Sequence, residues 1–218
     1  MAKRIGVVLS GCGVYDGAEI HEATLTLYFL DKAGIKVVCM APDKDQHHVV
    51  NHLTGDEMAE TRNVRVEAAR IARGDVKTIA EVQISELDAL IIPGGFGMAK
   101  NLSTVAFDGP DATVDEDLAS LVNAMYDAKK PIGAICITPA VISKILADRG
   151  VKLTIGNDEG TAGAIRAMGN EHVETGAKQI VIDEQNNIVS TAAYMCAASI
   201  AEAGEGIEKL VAEILKRA

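Results

Sequence analysis

The chain has 218 residues, a formal net charge of -10, 48% hydrophobic residues, 3% aromatic residues and no Trp. This composition predicts one folded domain with an aliphatic core and excludes a disordered chain. The acidic balance, without a concentrated basic patch or a run of ~18 apolar residues, excludes nucleic acid and a membrane as partners and predicts a cytoplasmic protein.

The start, MAKRIGVVLSG, has the basic-then-apolar order of a signal peptide, but its apolar run is too short and no small-residue cleavage site follows. Arg4–Leu9 reads instead as a buried strand ended by the turn SGCG. Glu19–Ala33 has helical spacing, with Ile20, Ala23, Leu27 and Leu30 on one side and Gly34 as its stop. Lys36–Ala41 is a second buried strand, which makes a parallel βαβ crossover. The polar stretch that begins at Pro42 is longer than an ordinary connection and is expected to run over the surface. It carries His47, His48 and His52 near Asp43 and Asp45, but loop histidines are usually solvated and no metal site is expected.

Asn63–Arg73 reads as a helix, and Ala89–Ile92 as a strand followed at once by PGGFG. Asp115–Lys129 is a helix with Leu118, Leu121, Val122 and Met125 as its apolar stripe. Ile132–Ile135 is a strand and Pro139–Ala147 a helix. Val151–Ile155 reads as a short strand and Ala162–Met168 as a short helix. Ile180–Ile182 and Ile188–Thr191 flank DEQNN as a hairpin. Ala193–Lys216 closes the chain as a long helix, with Ile207, Leu210, Val211, Ile214 and Leu215 along one face. The predicted architecture is one α/β domain with a mainly parallel sheet and helices on both faces.

Cys136 falls on the join between the strand at 132–135 and the helix that follows. Ligands of such sheets bind outside the carboxyl ends of the strands, and a residue on a sharp strand-to-helix turn is pushed out toward them. The helix N-terminus favours a thiolate there. The N–H groups of Gly95, in PGGFG, and of Ile137 are placed to bind an oxyanion formed at Cys136. Most free cysteines are small core residues, and position alone leaves that alternative open. Cys39 and Cys196 read as core; Cys12, at the end of the first strand, is the second choice of nucleophile. Glu19 and Glu22 begin the first helix at the same sheet edge. An ionised carboxylate would raise the thiol pKa, whereas a buried, protonated one would donate a hydrogen bond to the thiolate. On the second account, Glu22→Gln is expected to raise the thiol pKa.

The stretches KRIGVVLSGCGVYDGAEIHEATLT, NHLTG, ETRNVRVEAARIARG, IIPGGFGMAKNLS, LTIGND and VSTAAYM closely resemble the ElbB-type glyoxalases, also labelled isoprenoid biosynthesis proteins with an amidotransferase-like domain. These belong to the PfpI and class I glutamine amidotransferase-like superfamily. The resemblance spans nearly the whole chain. It implies a single flavodoxin-like three-layer sandwich over residues 1–218, a homodimer, and no cofactor. It puts the elbow cysteine at Cys136, the helix glutamate at Glu22 and not Glu19, and the oxyanion-binding groups at Gly95 and Ile137. Cys12, Tyr15 and Asn157 are expected as further pocket residues.

Many superfamily members place a His just after the helix that follows the elbow, where this chain has Gly156 and Asn157. His172-Val173-Glu174 fits the His-x-Glu spacing of the glutaminases but precedes the hairpin, so His172 reads as a surface residue. The resemblance therefore implies a glutathione-independent glyoxalase with a weak turnover, acting on a small reactive aldehyde through Cys136 and Glu22. The alternative is a non-catalytic stress-response or redox-sensing protein that uses the same cysteine.

Overall fold

A computed structural model describes residues 3–218; Met1 and Ala2, the start of the segment weighed above as a leader, lie outside it. The strands are β1 (Arg4–Val8), β2 (Lys36–Ala41), β3 (Val49–Val50), β4 (Glu57–Met58), β5 (Lys77–Thr78), β6 (Ala89–Ile92), β7 (Ile132–Ile135), β8 (Lys152–Leu153), β9 (Glu171–His172), β10 (Ile180–Asp183) and β11 (Ile188–Thr191). The α-helices are α1 (Ile20–Lys32), α2 (Val64–Ile71), α3 (Phe96–Lys100), α4 (Val105–Asp108), α5 (Glu116–Asp127), α6 (Thr138–Ile145), α7 (Glu159–Ala167) and α8 (Ile200–Arg217).

Seven strands form one sheet in the order β10-β11-β7-β6-β1-β2-β5. All neighbours are parallel except the β10–β11 hairpin, which is antiparallel. The central strands β6 and β7 are buried along their whole length, as parallel strands covered on both faces must be. Alternate residues feed two cores. Ile5 and Val7 of β1 and Ile91 of β6 pack with Ala23 and Leu30 of α1 and with Ile207, Leu210 and Ile214 of α8. Val8, Leu90, Ile92 and Ala134 point the other way, toward Leu118 and Val122 of α5 and Val141 and Ile142 of α6. The result is the flavodoxin-like three-layer sandwich that the sequence predicts.

The buried face of α8 follows helical spacing through Ala203, Ile207, Leu210, Val211 and Ile214. Full burial of each Ile, Leu or Val stabilises the fold by roughly 1.5–3 kcal/mol, so this helix anchors the layer behind the site. It begins later than the apolar pattern suggests. Ala193–Met195 is a separate 3₁₀ turn, and Ser199 caps α8 by accepting from the Glu202 N–H at 3.3 Å. Glu202 answers by accepting from the Ala198 N–H at 3.0 Å. The Ser199 cap, with Glu202 holding the residue before it, fixes the true start. Cys196 consequently lies outside the helix and outside the core, half-buried with its Sγ 3.4 Å from Asn157 Oδ1. Cys39 is half-buried against the α1–α8 core.

The excursion after Pro42 forms the small β3–β4 hairpin, with Leu53 at its tip 96% exposed. Asp16 accepts from the Val50 N–H at 2.8 Å, and Asn101 accepts from the His47 N–H at 2.8 Å. The first bond ties the hairpin to the loop after β1, and the second ties the segment before it to the end of α3. Among the described residues no group of three or more His, Cys, Asp or Glu is arranged to hold a metal ion. No described helix is long and apolar enough to cross a membrane.

Candidate active site

The turn after β7 carries Cys136 at φ +62°, a left-handed conformation rarely taken by a side-chain-bearing residue. Its own N–H donates to the Thr191 carbonyl at 2.9 Å, which ties the turn to β11. Thr138, the first residue of α6, donates through Oγ1 to the Pro93 carbonyl at 2.9 Å. That bond fastens the start of α6 to the PGGFG loop after β6. The two turns therefore meet at one point, which brings the Gly95 and Ile137 N–H groups close enough to the Cys136 sulfur to favour its charged form.

Close approach explains the glycines. A Cβ on Gly94 would stand 2.5 Å from Cys136 Cβ and 2.8 Å from Glu22 Oε2. Gly95 has φ +97°, and a Cβ there would stand 2.4 Å from the Gly17 carbonyl oxygen. Neither position leaves space for a side chain.

Glu22, on the first turn of α1, is wholly buried. Its Oε2 accepts from the Gly94 N–H at 2.9 Å and its Oε1 from the Tyr194 N–H at 3.2 Å. Burial, with the charge of Glu19 second, pushes its carboxyl up to about 8 against the pull of those two donors. The carboxyl and the Cys136 thiol meet at Gly94, where a Cβ would stand 2.8 Å from Glu22 Oε2 and 3.0 Å from Cys136 Sγ, so each acts on the other. The thiol itself is pushed well above its ordinary value, first by burial and then by the Glu22 charge, and the Gly95 and Ile137 N–H groups offset this only in part. The expectation of a thiolate stabilised by the helix N-terminus is thus corrected, because desolvation outweighs the helix end. The buried, raised-pKa glutamate does occur, but its charge raises the thiol. Glu22→Gln is therefore expected to lower the thiol pKa, the reverse of the sequence-based expectation.

Above this pair opens a cavity of about 510 Å³. Cys136, Gly95, Ile137 and Glu19 lie at its base, and Phe96, Val105, Ala164, Tyr194 and Met195 are among its walls. Glu19 caps α1 by accepting from the Glu22 N–H at 2.7 Å. The Tyr194 hydroxyl is hydrogen-bonded to His21 Nδ1 at 2.8 Å, and that nitrogen is 3.9 Å from Glu19 Oε1.

The three further pocket residues expected from the sequence do not line this cavity. Cys12 lies within reach of the charges of Glu67 and Arg70 at α2. Tyr15 packs its ring against His52, with centroids 4.9 Å apart. Asn157 lies beside Cys196 in a separate, shallower hollow. His172 is also absent from the cavity: its Nε2 accepts from the Ile155 N–H at 3.3 Å within the small β8–β9 pairing. Sequence reasoning missed Tyr194 and its bond to His21. The available signal was the Ser199-x-x-Glu202 spacing, which places TAAYM before the last helix and frees Tyr194 to face the site.

Comparison with known proteins agrees with the fold. Over 225 residues the chain is 42% identical to the human "Glutamine amidotransferase-like class 1 domain-containing protein 3, mitochondrial", covering 99% of this chain and 83% of that one. It is 41% identical over 223 residues to the "ES1 protein homolog, mitochondrial" of Rattus norvegicus, covering 98% and 83%. A crystal structure of an isoprenoid biosynthesis protein with amidotransferase-like domain from Ehrlichia chaffeensis superposes with a TM-score of 0.91 at 40% identity, covering 99% of this chain and 100% of that one. The mitochondrial relatives overturn the cytoplasmic expectation. An acidic surface and an aliphatic core suit any aqueous compartment, so composition could not distinguish among them. The sequence profile of the DJ-1/PfpI family matches residues 12–199, and the chain belongs to that family.

Proposed function

We propose that the protein is a glutathione-independent glyoxalase, converting a 2-oxoaldehyde and water to a 2-hydroxy acid. The observation that carries this reading is the meeting of the Cys136 thiol and the wholly buried Glu22 carboxyl at Gly94, where a Cβ would stand 3.0 Å from the sulfur and 2.8 Å from Glu22 Oε2, with the Gly95 and Ile137 N–H groups beside them. The family contains enzymes, glyoxalases and proteases among them.

Cys136 Sγ adds to the aldehyde carbon, and the thiol proton passes through Glu22 to the carbonyl oxygen, giving a hemithioacetal. The Gly95 and Ile137 N–H groups steady that oxygen as it gains charge. Glu22 then removes the C–H proton of the hemithioacetal carbon and returns a proton to the neighbouring carbon, through an enediol. One carbon is oxidised as the other is reduced, so no external oxidant is needed. Water cleaves the resulting thioester and restores the thiol. The Tyr194 hydroxyl, oriented by His21, is the wall group available to hold that water.

The redox-sensing alternative calls for an exposed thiol of low pKa. Cys136 is 7% exposed and its thiol is pushed upward, which favours a thiol activated by its neighbouring base. As base, Glu22 must be ionised, so kcat/KM is expected to rise with pH toward a plateau above about 8. The resemblance to ElbB-type proteins adds a homodimer to the proposal, which light scattering checks.

The test follows labelled glyoxal by NMR. Catalytic formation of glycolate, lost in Cys136→Ala, is the expected result. A stoichiometric adduct without turnover in the wild type would remove the glyoxalase reading.

A further inference from the structure

The cavity above Cys136 is far larger than glyoxal or methylglyoxal requires. Its volume of about 510 Å³ falls among pockets that enclose drug-sized ligands, roughly 300–1,000 Å³. A two- or three-carbon aldehyde held at the sulfur would leave most of that space to water against apolar walls. Most of the wall is apolar, with Phe96, Val105, Ala106, Ala164 and Met195 among it, and the Tyr194 and Thr161 hydroxyls are its uncharged polar groups.

Charge narrows the choice. The cavity is lined by two carboxylate residues, Glu19 and Asp158, and among the described residues by no Lys, Arg or His. Asp158 caps α7 by accepting from the Thr161 N–H at 2.8 Å, and its hydrogen bonds with Thr161 hold its carboxyl below the ordinary value. It therefore stays ionised at the exposed rim of the cavity and offers an anionic tail no partner. Lys100, which stacks on the Phe96 ring at 4.7 Å, is engaged by the Tyr15 carbonyl at 3.3 Å and by His48 at 3.2 Å.

We propose that this cavity selects a substrate whose reacting carbonyl end carries an uncharged, apolar chain several carbons long. The chemistry at the reacting end rests on the glyoxalase reading; the chain preference rests on the cavity. Phosphorylated or carboxylated oxoaldehydes are poor substrates on this account, because no cation meets their charge. Each buried methylene is worth about a fourfold gain in kcat/KM until the cavity is full.

The test measures kcat/KM for glyoxal, methylglyoxal, propylglyoxal and pentylglyoxal, with an ω-carboxyalkylglyoxal of matched length as the anionic control. The expected result is a rise with chain length and a value for the carboxylated compound at least about tenfold below its neutral counterpart. Ala164→Phe and, separately, Ala106→Trp should each lower the ratio of pentylglyoxal to glyoxal by about tenfold. A second readout needs no turnover: protection of Cys136 from iodoacetamide by hexanamide, compared with acetamide and with the monoamide of adipic acid. Stronger protection by hexanamide than by either comparator supports the chain preference, even if no oxoaldehyde turns over and the glyoxalase reading fails. Turnover of glyoxal with a flat or falling series, and equal protection by all three amides, overturns the inference while leaving the glyoxalase reading in place.

Discussion

The floor and the walls of the site are built differently. The floor is backbone geometry: two strand-to-helix turns locked by the Thr138–Pro93 bond, two glycines without room for a Cβ, and one buried carboxyl held by two N–H groups. The walls are side chains from short elements, α3, α4 and α7, and from the 3₁₀ turn at Ala193–Met195. On the proposed reading, reactivity sits in the part whose glycines leave no room for a side chain, and selectivity in the side-chain walls. A family of enzymes can therefore keep one thiol chemistry and change what it acts on by altering residues such as Val105 or Ala164.

The sharpest way to break that contrast is to disturb the floor without touching a reacting atom. Gly94→Ala places a methyl against both Cys136 and Glu22. Displacing the N–H donors should cost roughly 10²-fold or more in kcat, with a wall variant such as Ala164→Phe retaining far more glyoxal turnover. Equal losses from the two would erase the distinction.

Next in size is the effect of pH on stability. The Glu22 carboxyl is pushed up to about 8 from an ordinary 4.5, so between those values the native state holds a proton that the unfolded chain has released. The stability it contributes is complete below pH 4.5 and is lost as pH rises through 8. The slope is about 1.4 kcal/mol per pH unit over that window. Denaturant melts should show it in the wild type and a flatter profile in Glu22→Gln. An unchanged slope would mean that Glu22 does not titrate as its burial requires.

The smallest expected effect lies in the wall. Tyr194→Phe removes the hydroxyl bonded to His21 but keeps the backbone N–H that donates to Glu22. Hydrolysis of the thioester should slow by roughly two- to tenfold, with formation of the thioester unaffected. Rapid-quench kinetics separates the two steps.

This division also explains what could be read from the sequence. The strands β2, β6 and β7 match the runs KVVCMA, ALII and IGAI residue for residue, because buried parallel strands are continuous apolar runs bounded by turn residues. Asn63 and Asp115 marked helix starts through their capping side chains. The cysteine and the two N–H groups of the floor followed from those strand ends and from the glycines at the β6 turn, whereas the choice of Glu22 over Glu19 came only from the family resemblance. The walls did not. Elements as short as Val105–Asp108 carry no periodicity, and the position of Tyr194 depends on a helix start hidden inside a continuous apolar run. Nor could spacing show that Cys12 lies within reach of the charges at α2 while Cys136 lines the cavity. The protonation state of the thiol depends on how fully Glu22 and Cys136 are desolvated together, a property of the packed molecule.

The central claim is that Cys136 rests as a protonated thiol and Glu22 is its base. The measurement that tests it most directly is the ultraviolet thiolate absorbance as a function of pH. Wild type is compared with Glu22→Gln, and Cys136→Ala is subtracted as background. Cys136 is expected to ionise well above the ordinary thiol range in the wild type and at lower pH once the Glu22 charge is gone. A thiolate already present at neutral pH, unmoved by Glu22→Gln, would contradict it.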